Sequence, residues 1–275
     1  MMKRIIALSI FLFITVSSLG QNLVDGWIVE DGGAGTHKAM ITLYEEIPGC
    51  VIYRPISISS AVSKTTLPIV LFRPDQEHSA GFERFLTEIA SFGYIVIAEG
   101  SYRYENDELR VLVPSDGSFL KDAMDILRSY SEKKGNVFSG SLDFTNIAYI
   151  SRFPDESTPL YPQADTYIYL DASASALRNP ALYVVGSKDE IKYKKALSDL
   201  EHSGKTFTAL ASLPIGGEGT YAESYGGSYS TIVLQWLEWQ LKGKNWSRKI
   251  FTGEECICMY SGWEIEYRNE NHIIN

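Results

Sequence analysis

Five short stretches of the chain are unbroken runs of apolar and tyrosyl side chains: 68–72 (PIVLF), 94–98 (YIVIA), 147–150 (IAYI), 167–170 (YIYL) and 181–185 (ALYVV). Runs this short, without polar alternation, predict strands buried on both faces. Between them the apolar spacing changes to three and four. In 79–92, Phe82, Phe85, Leu86 and Ile89 share one helical face, and Gly93 stops the helix. In 118–133, Leu120, Met124 and Leu127 form one stripe. A helix is predicted over 192–202, a strand over 206–213, and a long helix over 228–241. The buried side of that last helix is Ile232, Leu234, Trp236, Leu237 and Leu241. Ahead of all these, 40–46 and 50–54 read as two strands joined by the Pro48-Gly49 turn. A hairpin followed by alternating strands and helices predicts an α/β fold. Its central sheet is mostly parallel, with an antiparallel N-terminal hairpin and helices on both faces.

The N-terminus changes the picture of where the protein works. Lys3 and Arg4 precede an apolar core over 5–16, and Ser18-Leu19-Gly20 supplies small residues at a cleavage site. This is the pattern of a secretory signal peptide over 1–20, giving a secreted chain, periplasmic or extracellular. The apolar run is too short to span a bilayer. A flexible lead-in over 21–39, one α/β domain over 40–245 and a C-terminal extension over 246–275 follow. Trp263 and Ile265 suggest that the extension packs back onto the domain. Loss of Lys3 and Arg4 takes the formal charge from −9 to −11. That balance argues against nucleic acid or an anionic membrane as partner, since both need a basic patch.

Cysteine usage leaves several pairings open. Cys256 and Cys258 could close a small ring, or one of them could pair with Cys50; one thiol remains in either case. Zinc would need more ligands than the tail's His272. No phosphate loop, dinucleotide glycine pattern or ligand spacing implies a cofactor or metal. The 17 tyrosines and 5 tryptophans suit a core with polar handles, or a carbohydrate-facing surface.

Three segments carry a resemblance: 82–98 (FERFLTEIASFGYIVIA), the strand ending before Ser151, and 219–221 (GTY) through 236–243 (WLEWQLKG). Over roughly 40–265 the chain resembles the α/β-hydrolase superfamily, near secreted bacterial dienelactone hydrolases and polyester hydrolases. The resemblance implies a serine in a strained turn, a carboxylate and a histidine, in that chain order. It places the nucleophile at Phe153, flanked by Ser151, Arg152, Pro154 and Asp155. It places the acid at Asp189 or Glu190, and the histidine at Gly217 beside Glu218. The loop that should give an oxyanion donor is Arg73-Pro-Asp-Gln-Glu-His78, with two carboxylates that would repel an oxyanion.

Three catalytic elements, the serine turn, the histidine and the oxyanion loop, are thus altered together, and of the triad only the acid role survives by residue type, in Asp189 or Glu190. Ser151 and Ser157 read as turn hydroxyls, and Asp189 equally reads as a helix N-cap. The expectation is a secreted pseudo-hydrolase that binds an unknown ligand, such as a saccharide, peptide or protein, where the active site would lie. The competing expectation is an ester or acyl hydrolase with relocated groups. Its candidates are Ser151 with His78, or the carboxylates Asp75, Asp155, Glu190 and Glu218.

Overall fold

The computed structural model describes residues 23–47, 49–58, 66–75, 81–105, 108–112, 119–152, 161–174, 177–217, 220–252 and 262–269. The N-terminal side is an antiparallel meander of β1 (Leu23–Trp27), β2 (Ala39–Tyr44) and β3 (Cys50–Pro55). The apolar runs become β4 (Leu67–Arg73) and β5 (Ile95–Glu99). A separate two-stranded hairpin of β6 (Ser101–Glu105) and β7 (Glu108–Leu112) follows. The main sheet continues with β8 (Leu142–Ser151), β9 (Thr166–Leu170), β10 (Ala181–Gly186), β11 (Thr208–Leu213) and β12 (Glu264–Arg268). These ten strands run in the order β1-β2-β3-β5-β4-β8-β9-β10-β11-β12. The block from β5 to β11 is parallel, and β12 closes the far side antiparallel to β11. This is the mostly parallel α/β sheet with an antiparallel hairpin that the hydrophobic pattern predicts.

The period-two alternation of side chains splits each apolar strand between two cores. On one face, Val70, Val96, Ala148, Ile168 and Leu182 pack under three helices. These are α1 (Glu83–Ser91), α4 (Gly227–Gln240) and α5 (Asn245–Thr252), through Phe85, Leu86, Ile89, Trp236, Leu237 and Phe251. On the other face, Ile69, Leu71, Ile95, Ile97 and Tyr149 pack under α2 (Phe119–Glu132) and α3 (Glu190–Glu201). Tyr167, Tyr169 and Tyr183 continue that layer, with the rings of Tyr169 and Tyr183 stacked 5.4 Å apart. Such ring pairs contribute about 1 kcal/mol each beyond their buried area.

Polar ties fix the helices in register. The Trp236 indole N–H donates to Thr166 Oγ1 at 2.8 Å, pinning α4 to β9. Tyr94 Oη and Lys242 Nζ both donate to Glu238 Oε1, at 2.9 and 2.8 Å. Lys242 also donates to the Phe92 carbonyl at 2.7 Å, which joins the end of α4 to the turn after α1.

Four elements go beyond the sequence expectation. Residues 23–39, expected as a flexible lead-in, hold β1 on the sheet edge and a 3-10 turn at Glu30–Gly32. Backbone pairing to β2 and side chains of α1 supply the order. The hairpin of β6 and β7, α5 and β12 are the others, and the last two belong to the extension beyond 245. Cys50 carries a free, buried thiol. Burial, then the charges of Glu99 and Asp122, push its ionisation far above the usual range. Cys256, Cys258 and His272 lie outside the described residues, as does the expected signal peptide over 1–20. Among the described residues, no helix is long and apolar enough to cross a membrane.

Candidate functional site

In a parallel sheet, ligand sites form where the strands end at their carboxyl side. The ends of β4, β8, β9, β10 and β11 meet here, because their register aligns Arg73 with Ser151 and Ser151 with Tyr169. Asp171 stands at the centre of this edge, just past β9, and is 4 % exposed. Its Oδ2 accepts the Tyr221 hydroxyl at 2.8 Å. Its Oδ1 accepts the Tyr229 hydroxyl at 3.1 Å and the Gly186 N–H at 3.3 Å. Its own N–H donates to the Val184 carbonyl at 2.9 Å.

Asp171 has φ 49°, a left-handed conformation that costs a non-glycine residue about 1 kcal/mol or more. The four hydrogen bonds hold it there. Burial, followed by the Asp171 charge, pushes both phenols well above their usual ionisation range, with Arg152 opposing. Tyr221 and Tyr229 therefore stay protonated and act as donors. Tyr221 comes from the 3-10 turn Thr220–Ala222, and Tyr229 from the first turn of α4.

Gly217 lies against this cluster. A Cβ there would sit 2.3 and 2.4 Å from the two Asp171 carboxylate oxygens and 2.5 Å from Tyr229 Oη. Glycine is required at this point by close approach. It is also the position that the resemblance assigns to the histidine. A buried carboxylate gripped by two tyrosines occupies the space that a side chain there would need.

The neighbouring strand end carries a buried cation. Arg152 is 3 % exposed, and its Nη1 lies 3.1 Å from Asp75 Oδ2. Its guanidinium carbon stands 5.1 Å from the Tyr221 ring centre and 5.8 Å from that of Phe82. Phe82 packs on both Phe72 and Tyr221, at 4.9 and 5.0 Å between ring centres. Asp75, expected in the oxyanion loop, is thus engaged in an ion pair that joins the ends of β4 and β8. Arg152→Met should lower unfolding free energy by about 1–3 kcal/mol, since Asp75 is partly exposed and regains water. Urea unfolding of Arg152→Met, Asp75→Asn and the double variant should give a double-mutant coupling of opposite sign to the single losses.

The other expected site residues take structural positions. Asp189 caps α3, accepting the Lys192 N–H at 3.2 Å, and that bond, against the cost of burial, holds its carboxyl below the usual range. Its charge still reaches Tyr229. Glu190 points into solvent and pairs with Lys194 Nζ at 3.0 Å, so the second acid candidate is away from the cluster. Ser151 is fully buried within β8. Phe153, Pro154, Asp155, Ser157, His78 and Glu218 lie outside the described residues. Of the described histidines, His202 faces the Ser198 carbonyl through Nδ1 at 2.7 Å, and His37 lies against Gly93. Among the described residues, no group of three or more His, Cys, Asp or Glu side chains is placed to hold a metal ion.

Sequence reasoning missed Asp171 and valued Tyr221 only as scaffold. The available signal was a lone carboxylate directly after an unbroken apolar strand, where a charge must be either solvated or paired. Together the fold and this cluster define an α/β protein whose strand ends carry a buried carboxylate, two tyrosine donors and a buried arginine pair. No protein-family model matches the chain, and no curated protein matches it.

Proposed function

We propose that this is a secreted, non-catalytic binding protein on an α/β-hydrolase scaffold, using the strand-end surface around Asp171, Arg152 and Tyr221. The observation that carries this reading is Gly217: its surroundings leave no space for a side chain beside Asp171 and Tyr229. Without an imidazole at that position, a serine in the turn after β8 lacks the base that the resemblance would supply there. Two further features support the reading. Asp75 is committed to Arg152, and Asp189 to the start of α3.

The purified mature chain is expected to hydrolyse p-nitrophenyl acetate and butyrate no faster than buffer. Intact-mass analysis after fluorophosphonate treatment should show no adduct. Ester turnover that Ser151→Ala or Ser157→Ala removes would replace this reading by that of a hydrolase with relocated groups.

A further inference from the structure

The segment between β1 and β2 crosses α1 in an unusual way. Glu30 and Asp31 have φ 48° and 55°, and Gly32 and Gly33 also have positive φ. Four consecutive left-handed residues, two of them not glycine, persist only where the surroundings over-determine them. The surroundings here are α1 and the loop 220–226.

On the helix side, the Ala34 N–H donates to Glu88 Oε2 at 2.8 Å, and the Gly35 N–H to Ser91 Oγ at 2.9 Å. Ser91 Oγ donates in turn to the Glu88 carbonyl at 2.7 Å, and the His37 N–H donates to the Ser91 carbonyl at 2.9 Å. Lys38 Nζ closes the turn on the Gly33 carbonyl at 2.8 Å. A Cβ at Gly35 would lie 2.2 Å from the Ser91 carbonyl oxygen, so the backbone itself is pressed against the helix.

On the loop side, the Glu30 carboxylate receives the Tyr225 N–H at 2.6 Å and lies 3.3 Å from Arg84 Nε. Arg84 Nη1 then reaches the Ala222 carbonyl at 2.7 Å. Ala222 directly follows Tyr221, whose hydroxyl grips Asp171. Tyr225 is itself left-handed, at φ 54°. The N-terminal segment, α1 and the loop that shapes the strand-end surface therefore meet at one carboxylate.

We propose that residues 28–38 form a strap that fixes the Tyr221 loop onto α1, with Glu30 as its tie to the loop and Glu88 as a pH-responsive anchor. The geometry stands apart from the binding function proposed above; only its consequence for a ligand rests on that reading. Burial, reinforced by the Glu30 charge, raises the Glu88 carboxyl above its ordinary value of 4.5, while Ala34 N–H, Ser91 and Lys38 oppose. The docked strap therefore holds the Glu88 proton more tightly than the undocked one does. Its grip is fullest below the ordinary glutamate value and weakens as pH rises through the raised one. The strap fastens in mildly acidic medium and loosens toward neutrality. The titratable groups around it are Glu30, Asp31, His37 and Lys38 on the strap, Arg84 on α1, and Glu223 on the loop.

Amide hydrogen exchange on the full mature chain tests this at pH 5.0 and 7.5. After correction for intrinsic rates, protection at Ala34 and Gly35 should fall several-fold from the lower to the higher pH, while β4 amides hold. Glu88→Gln keeps the acceptor and removes the charge, so its protection should be independent of pH. His37→Gln should retain the wild-type trend. A flat wild-type profile, a trend that survives in Glu88→Gln, or one that disappears in His37→Gln would overturn the anchor. Glu30→Gln should speed exchange at Tyr225 and its neighbours several-fold; unchanged exchange over 220–226 would overturn the strap. None of these readouts involves a ligand, so they stand or fall apart from the binding reading.

Discussion

Asp171→Ala is expected to lower the unfolding free energy by about 3–5 kcal/mol, among the largest losses a single substitution produces. The change strands three donors in the interior: the Tyr221 and Tyr229 hydroxyls and the Gly186 N–H. Each buried donor without an acceptor costs about 1–3 kcal/mol, and local relaxation keeps the total below the simple sum. Alanine gains nothing in exchange, because the left-handed backbone at this residue suits it less well than aspartate. Asp171→Asn retains one acceptor oxygen and should lose about half as much. In a chain of this length, about 4 kcal/mol corresponds to a fall in Tm of roughly 10 °C. Urea unfolding followed by tryptophan fluorescence reads both variants, and Trp263, 5.9 Å from Tyr229, reports on the cluster directly. A loss under about 1 kcal/mol would mean that the two phenols find other acceptors and that the cluster contributes little to the fold.

The fold was largely legible because burial on both faces leaves a simple signature. The strands β4, β5, β8, β9 and β10 are continuous apolar runs, and α1, α2 and α4 carry apolar stripes at helical spacing. Two of the misses, β1 and β12, share a physical cause, since they are sheet edges covered on fewer sides. The half-exposed strand Glu264–Arg268 alternates Glu264 and Glu266 with Ile265 and Tyr267, a pattern too weak over five residues to stand out from a loop. Helix α5 hides its buried face in Ser247, Ile250 and Phe251, a small residue and two apolar ones over eight positions.

The candidate site was legible as a region and not as a set of residues. The strand ends followed from topology, and the cap role of Asp189 followed from its place before α3. Asp171 did not follow. Its importance depends on Tyr221 and Tyr229, which lie 50 and 58 positions further on and approach it only through the path of the chain after β11. Gly217 was read as an absence of histidine. In the fold it is instead a positive requirement, since the cluster needs a residue with no side chain there.

That requirement gives a second large effect. Gly217→Ala is expected to cost about 2–4 kcal/mol, although it adds a single methyl group. Small-to-large changes are cheap where the obstructing atom is the tip of a flexible side chain. Here the obstructing atoms are two carboxylate oxygens and a phenol oxygen within 2.5 Å of the added carbon. All three are buried and each takes part in a hydrogen bond of the Asp171 cluster, so none can retreat without breaking the bonds that hold Asp171. Gly217→His should lose at least as much and should still give no fluorophosphonate adduct, because its Cβ meets the same obstruction before the ring is placed. The double variant Gly217→Ala with Asp171→Ala separates this cause from general strain. Removing the carboxylate takes away two of the three obstructing oxygens and frees the Tyr229 hydroxyl to move, so the double variant's loss should fall short of the sum of the two singles by at least about 1 kcal/mol. Strict additivity would place the obstruction elsewhere. A Gly217→His chain that kept full stability and acquired ester turnover would show that the strand-end cluster yields to an imaginable catalytic base, and the non-catalytic reading would then lose the one observation on which it rests.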